Sequence, residues 1–268
     1  MQTQSYQSIA VSSKNLSKKD DFLVVEAPLQ ININDEPYTV VMRTPNDDID
    51  LVRGLLFAED IYKKTENLEF EILEEEYSVP TIINVSIEKQ DLGKGYLNKR
   101  TLLSVSSCGI CGKKELKDIK VAGDKIHSQN SFTINDLELM QKVMVQHQDT
   151  FKKSGGSHAA AIFSKKNELL SCKEDIGRHN AVDKIVGELL NNKKLKESQY
   201  LFVSGRVSHE IVSKAFIAKI PVIIAVSACS SLAVDFAKEF GICLIGFKRD
   251  KKLTLYSKSN YLKFLENV

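Results

Sequence analysis

From Thr133 onward, apolar runs short enough for strands alternate with longer stretches of helical period, and this alternation restricts the fold more than any other feature. DLELMQKVMVQHQDTF places Leu137, Met140, Met144, His147 and Phe151 on one helical face and ends at Gly155-Gly156. AAAIFS and ELLSCK read as short strands, and the helix after them carries Val182, Ile185, Val186, Leu189 and Leu190 as its apolar stripe. Strand YLFVS, helix HEIVSKAFIAK, strand PVIIAVSA, helix SLAVDFAKEF and strand ICLIGF follow. The order α-β-β-α-β-α-β-α-β predicts a three-layer α/β domain over 132–268.

The preceding part has a different rhythm. Residues 1–21 are polar and without period, and read as a flexible arm. FLVVEAPLQINI and YTVVMRT read as strands around a turn at Asn34-Asp35-Glu36-Pro37. Pro45-Asn46-Asp47-Asp48 opens a helix with Leu51, Leu55 and Leu56 as its stripe, and LEFEIL and TIINVSIE are two further strands. A small α+β domain is therefore expected over 22–131, ending in a cysteine loop and a polar connector from Lys113 to Ser131.

With 268 residues, 43% apolar and 27% charged, the chain can bury a core without a cofactor to hold it together. No apolar run approaches the ~20 residues of a membrane span, and the first twenty residues lack the apolar centre of a secretory signal, so a cytoplasmic protein is expected. A net charge of +2 gives little global attraction to nucleic acid. Anion sites must come from local clusters such as Phe247-Lys248-Arg249-Asp250-Lys251-Lys252, which also reads as a solvated turn between two strands. Five cysteines in a reducing compartment argue against a disulfide scaffold, and Cys172, Cys229 and Cys243 sit singly in apolar surroundings as core residues.

The remaining two cysteines form SSCGICGKK, Cys108 and Cys111 among glycines and ahead of Lys113 and Lys114. Three chemistries suit such a pair. Zinc would need two more Cys or His ligands, and no second CxxC is present; two chains could each supply one pair, which keeps a homodimer open. A dithiol redox centre normally puts the first cysteine at a helix N-terminus, and Gly112-Lys113-Lys114 does not begin a convincing helix. In sulfur carriage, the glycines free the backbone to present one sulfur to two partners, and the lysines favour the thiolate.

Six blocks in order, GLLFAEDI, SSCGICG, FKKSGGSHAAAIF, EDIGRHNAVDKIVG, VSGRVSHEIVSKA and LIGFKRDKKLTLY, make the sequence resemble the formate dehydrogenase accessory sulfurtransferase family, FdhD. Ser154, Asp60 and Lys251-Lys252 depart from that family's usual residues. The resemblance implies a cytoplasmic sulfur carrier that takes sulfur from a cysteine desulfurase as a persulfide. It delivers this sulfur to the bis(molybdopterin guanine dinucleotide) form of the molybdenum cofactor, destined for formate dehydrogenase. Cys108 would be the carrier and Cys111 an auxiliary thiol, with no role for nucleic acid or membrane. The competing class is a cofactor-binding chaperone whose cysteines hold a metal or act as a redox lock.

The resemblance also implies a cytidine-deaminase-like C-terminal domain. Zinc deaminases place H-x-E and P-C-x-x-C at two successive helix starts. Here those starts read Gly177-Arg178-His179-Asn180-Ala181 and Ser204-Gly205-Arg206-Val207-Ser208-His209, without the glutamate or either thiolate, so catalytic zinc is not expected. They suit anions instead, because helix N-termini offer N–H groups and Arg178 and Arg206 add guanidinium forks. His158 and His179 could orient the ligand, and the Phe247–Lys252 turn would complete the cofactor site. In the purely structural alternative, Arg178 pairs with Asp175 or Asp183, and Arg206 with Glu210.

Overall fold

The computed structural model describes residues 2–13, 15–97, 123–128, 131–257, 261 and 263. Cys108, Cys111 and most of the connector lie outside them. The chain opens with strands β1 (Thr3–Val11) and β2 (Leu16–Val24), which pair antiparallel from Thr3–Val24 to Val11–Leu16. β3 (Ala27–Ile33), β4 (Glu36–Arg43), helix α1 (Asp48–Ala58), β5 (Glu69–Glu76) and β6 (Val79–Ser86) form the first domain. Its sheet runs β4-β3-β6-β5, with β3 and β6 parallel and α1 as their crossover. Leu29, Ile31 and Ile33 of β3, one face of a period-2 strand, meet Leu51, Val52, Leu55 and Leu56 of α1 in one core.

The second domain contains α2 (Ile134–Gln146), α3 (Asp149–Ser154), β7 (His158–Ser164), β8 (Leu169–Asp175), α4 (Arg178–Asn191), β9 (Ser198–Val203), α5 (His209–Ile217), β10 (Val222–Ala225), α6 (Ser231–Phe240), β11 (Cys243–Arg249) and β12 (Lys252–Ser257). Its mixed sheet runs β12-β11-β10-β9-β7-β8. β9, β10 and β11 are parallel, while β7, β8 and β12 pair antiparallel to their neighbours. Strand residues divide by parity between two cores. Ala160, Ile162, Leu201, Val203, Ile223 and Leu244 face α4, α5 and α6, and Ala161, Phe163, Tyr200, Phe202, Ile224 and Ile245 face α2. Burial on both faces explains why these strands read as continuous apolar runs. Among the described residues no helix is long and apolar enough to cross a membrane.

The two domains meet where α1 crosses α4. A Cβ at Gly54 would lie 1.9 Å from the carbonyl oxygen of Asp183, and one at Gly187 would lie 1.8 Å from that of Asp50. Polar groups pin the crossing: the Thr44 N–H donates to Asp175, the Lys184 amine donates to the Thr44 carbonyl, and Asn180 donates to the Met42 carbonyl. Lys173 pairs with Asp47 at 2.8 Å. Gly54→Val is expected to lower stability by at least the ~1–3 kcal/mol of ordinary overpacking, because the obstacle is backbone rather than a movable side chain. Chemical denaturation with a two-domain readout measures it; unchanged stability would contradict the close crossing.

Three expectations change. The polar arm is the β1–β2 hairpin, docked beside α3 through the Thr150 hydroxyl at 2.8 Å from Gln2 Oε1. A ladder satisfied by its own backbone leaves little apolar signal. The single helix ending at Gly155 is two helices, α2 and α3. Glu174, buried on β8, draws hydrogen bonds from the backbone N–H groups of Thr150 and Phe151 and from the Ser157 hydroxyl. Those donors exist only if a new helix starts there. Phe151 is consequently exposed, and His147 ends α2 with Nδ1 2.8 Å from the Val143 carbonyl oxygen. FLVVEAPLQINI divides between β2 and β3 at Val25-Glu26.

Candidate functional site: the rim of the larger sheet

Strand direction gathers most of the expected residues at one end of the sheet. The C-terminal ends of β8, β9, β10 and β11 coincide there with the starts of β7 and β12, since only those two strands run the opposite way. Loops leaving parallel strands at this end are where α/β sheets bind ligands. Here they are stitched together: Val207 N–H donates to the Ala228 carbonyl, Ser230 N–H to that of Val207, and Phe247 N–H to that of Ser227. The Ala159 N–H donates to Ser204 Oγ, fixing the first loop to the start of β7.

His158, Arg178 and Arg206 converge around Gly205. A Cβ on Gly205 would stand 3.2 Å from His158 Nδ1 and 3.4 Å from Arg178 Cβ and Cδ, so this glycine gives the two side chains their space. The carboxylates that could neutralise the arginines are engaged elsewhere. Asp175, fully buried, accepts from Gly177 N–H, Asn180 and Thr44 N–H and pairs with Lys184 at 2.8 Å. Asp183 is 2.6 Å from the Lys214 amine. Burial opposes the Lys214 ammonium, but Asp183 and Glu210 outweigh it and hold its pKa above the ordinary value. Glu210 faces His179 and Lys214 at 3.4 and 3.7 Å. Among the described residues neither Arg178 nor Arg206 has an ion-pair partner, and Arg178 Nε is buried with no hydrogen bond. An anion is the partner such groups fit.

Burial, with Arg178 and Arg206 close by, pushes His158 below its ordinary pKa of 6.5, and Asp175 only partly opposes this. Between the depressed value and 6.5 the unfolded chain binds the extra proton, so stability rises with pH. The contribution is complete above 6.5 and is lost as pH falls through the folded-state value. Melting temperatures from pH 5 to 7.5 are expected to show this slope and to lose part of it in His158→Gln. An identical slope in the variant would place the titration elsewhere.

His179 is buried, with Nε2 3.2 Å from Ser208 Oγ and Nδ1 toward Glu210, and thus lines the wall behind the floor. The Phe247–Lys252 hairpin lies two strands from β9, about 10 Å at ordinary strand spacing. Phe247, Arg249, Asp250, Lys251 and Lys252 are exposed, and Phe247 and Asp250 have φ of 51° and 47°. Lys248 differs from its neighbours: it is fully buried, and its amine donates to Gln141 Oε1 and the Asp250 carbonyl. It braces the turn from beneath. Sequence reasoning did not link Ser208 to His179, because nothing in a linear pattern connects positions twenty-nine apart, and it set Glu210 against Arg206, whereas the structure turns Glu210 to His179 and Lys214.

The three described thiols are pushed up by burial, Cys172 and Cys243 to about 12 and Cys229 to about 11. Among the described residues no three His, Cys, Asp or Glu side chains cluster as a metal site.

The FdhD/NarQ family model matches residues 24–263. The chain belongs to the FdhD/NarQ family. It is 38% identical over 255 residues to the sulfur carrier protein FdhD of Saccharolobus solfataricus, covering 94% of this chain and 95% of that one. Identity to the FdhD of Streptomyces avermitilis is 36% over 265 residues, covering 93% and 92%. A crystal structure described as a formate dehydrogenase accessory protein, from Desulfotalea psychrophila, superposes with a TM-score of 0.78 at 20% identity, covering 98% of this chain and all of that one. That likeness confirms the two-domain fold.

Proposed function

We propose that this FdhD family member is a cytoplasmic sulfurtransferase that carries sulfur as a persulfide on Cys108. It receives the sulfur from a cysteine desulfurase and passes it to the molybdenum cofactor, in its bis(molybdopterin guanine dinucleotide) form, for formate dehydrogenase. Cys111 is the auxiliary thiol. The cofactor is the acceptor substrate, with one anionic part on the floor of Arg178, Arg206 and His158 and another at the hairpin of Phe247, Arg249, Asp250, Lys251 and Lys252. In this reading the C-terminal domain, 132–268, is a deaminase-like scaffold without catalytic zinc, and 22–131 is the smaller domain that ends in the cysteine loop.

The observation that carries the reading is the pair of arginines that, among the described residues, have no carboxylate partner, at the end of the sheet where parallel strands deliver their loops. Floor and hairpin stand about two strand spacings apart on one rim, which suits an elongated ligand with phosphates along its length. The relatives' name, sulfur carrier protein, supports the cysteine chemistry. So do the described thiols, whose raised pKa values make them poor competitors for sulfur at neutral pH. Intact-mass spectrometry after incubation with desulfurase and cysteine tests the proposal. One thiol should gain about 32 Da in a form removed by reductant. A chain that binds guanine nucleotide yet never gains sulfur would be a cofactor chaperone instead.

A further inference from the structure

Lysine is almost never fully buried without a carboxylate beside it, yet Lys248 is fully buried under the hairpin and among the described residues has no ion pair. Its amine donates to two neutral oxygens instead, Gln141 Oε1 at 3.3 Å and the carbonyl of Asp250. The same Gln141 amide donates through Nε2 to the Lys248 carbonyl at 3.4 Å, so one side chain of α2 holds both ends of the lysine. Two carboxylates lie near but do not close on the amine. Glu138, one turn before Gln141, pairs with Lys142 at 3.1 Å, and Asp250 turns its carbonyl rather than its carboxylate to Lys248. Burial pushes the lysine below its ordinary pKa of 10.5, and Glu138 and Asp250 only partly oppose this.

We propose that Gln141 is a positioning residue for the anionic acceptor: it holds Lys248 without neutralising it, so that a buried positive charge acts on a ligand at the Phe247–Lys252 turn. The inference deepens the acceptor reading and rests on it. A glutamate at 141 would reach the same amine and cancel its charge, whereas an amide satisfies the amine's hydrogen bonding and leaves the charge standing. The choice of amide matters because of where the charge sits. Bonded to the Asp250 carbonyl, the ammonium lies directly beneath a turn whose Arg249, Lys251 and Lys252 face solvent. Those exposed cations are screened by water and salt, and a charge withdrawn from water is screened far less. The same bond fixes Asp250 in its left-handed conformation, φ 47°, and so holds the outward side chains in place.

An uncompensated buried ammonium costs stability that an ion pair would recover in part. Binding sites commonly keep such a cost, and this one has a measurable sign. In Gln141→Glu the melting temperature should hold or rise, because the new ion pair offsets the lost N–H donor, while affinity for anions falls.

The test is calorimetric titration of the full chain with guanosine monophosphate and guanosine diphosphate, beside thermal melts. For the diphosphate the loss in Gln141→Glu should be about tenfold, the order that one unit charge exerts at roughly 10 Å and an effective dielectric constant of about 20. For the monophosphate it should be smaller, since less charge meets the field. Lys248→Gln, which keeps a donor for the turn but carries no charge, should show the same graded loss. Undiminished affinity in folded Gln141→Glu overturns the proposal, and so does an equal loss for both nucleotides, the mark of a distorted turn rather than an altered field. Wild-type protein that binds neither nucleotide would strike the acceptor reading and the proposal together, which tells the two failures apart.

Discussion

Cys108→Ser is expected to abolish both the persulfide and the activation of formate dehydrogenase while leaving guanine-nucleotide binding intact. The argument is partly one of supply. A thiol with a pKa near 12 is thiolate to about one part in 10⁵ at neutral pH, and only the thiolate attacks sulfur, so Cys172 and Cys243 cannot take over and Cys229 scarcely can. Cys108 and Cys111 stand instead beside Lys113 and Lys114 in sequence, where neighbouring cations favour ionisation. Binding should survive because the arginine floor and the hairpin are built from other elements. Cys111→Ser should retain part of the transfer, since its thiol assists release or protects the carrier. If Cys108→Ser still takes up sulfur and activates the enzyme while Cys111→Ser does neither, the two roles are reversed.

The alternation of apolar runs announced the larger sheet because each strand is buried on both faces, and burial is what composition reports. Where burial is not the organising force, the sequence was less informative. The β1–β2 hairpin holds together through its ladder, and Ile9, Val11 and Leu16 on it remain exposed. The break between α2 and α3 answers to Glu174, a residue more than twenty positions downstream whose need for donors appears only once β8 is packed. The basic cluster near the C-terminus was legible both as a turn and as a candidate site. That Lys248 would be taken into the turn's underside, against Gln141, was not, because this depends on α2 lying beneath it.

The arginines show the same limit at the site itself. Sequence reasoning placed Arg178 and Arg206 at helix starts but left open whether nearby acids would consume them. That question turns on how the acids are used. Asp175 is drawn to the domain junction by Lys184 and Thr44, and Asp183 to Lys214. The junction therefore has a functional consequence, since the Asp175–Lys184 pair that holds Thr44 there, together with the Asp183–Lys214 pair between α4 and α5, leaves the floor positively charged.

Arg178→Ala and Arg206→Ala are accordingly expected to weaken guanine-nucleotide binding about tenfold or more each, since a charge-assisted contact is worth roughly 1.5–3 kcal/mol. Stability should change little, within about 0.5 kcal/mol, because no ion pair with a described residue is broken in either variant. Arg178 is expected to have the larger effect: its Nε is already withdrawn from water, so its contact with an anion is less screened than that of exposed Arg206. Arg249, exposed on the hairpin, serves as the comparison, with a smaller loss and a steeper dependence on salt. Calorimetric titration at two ionic strengths, beside thermal melts of the same proteins, separates the outcomes. Unchanged affinity with a lowered melting temperature would make the arginines structural and move the anion site away from the floor.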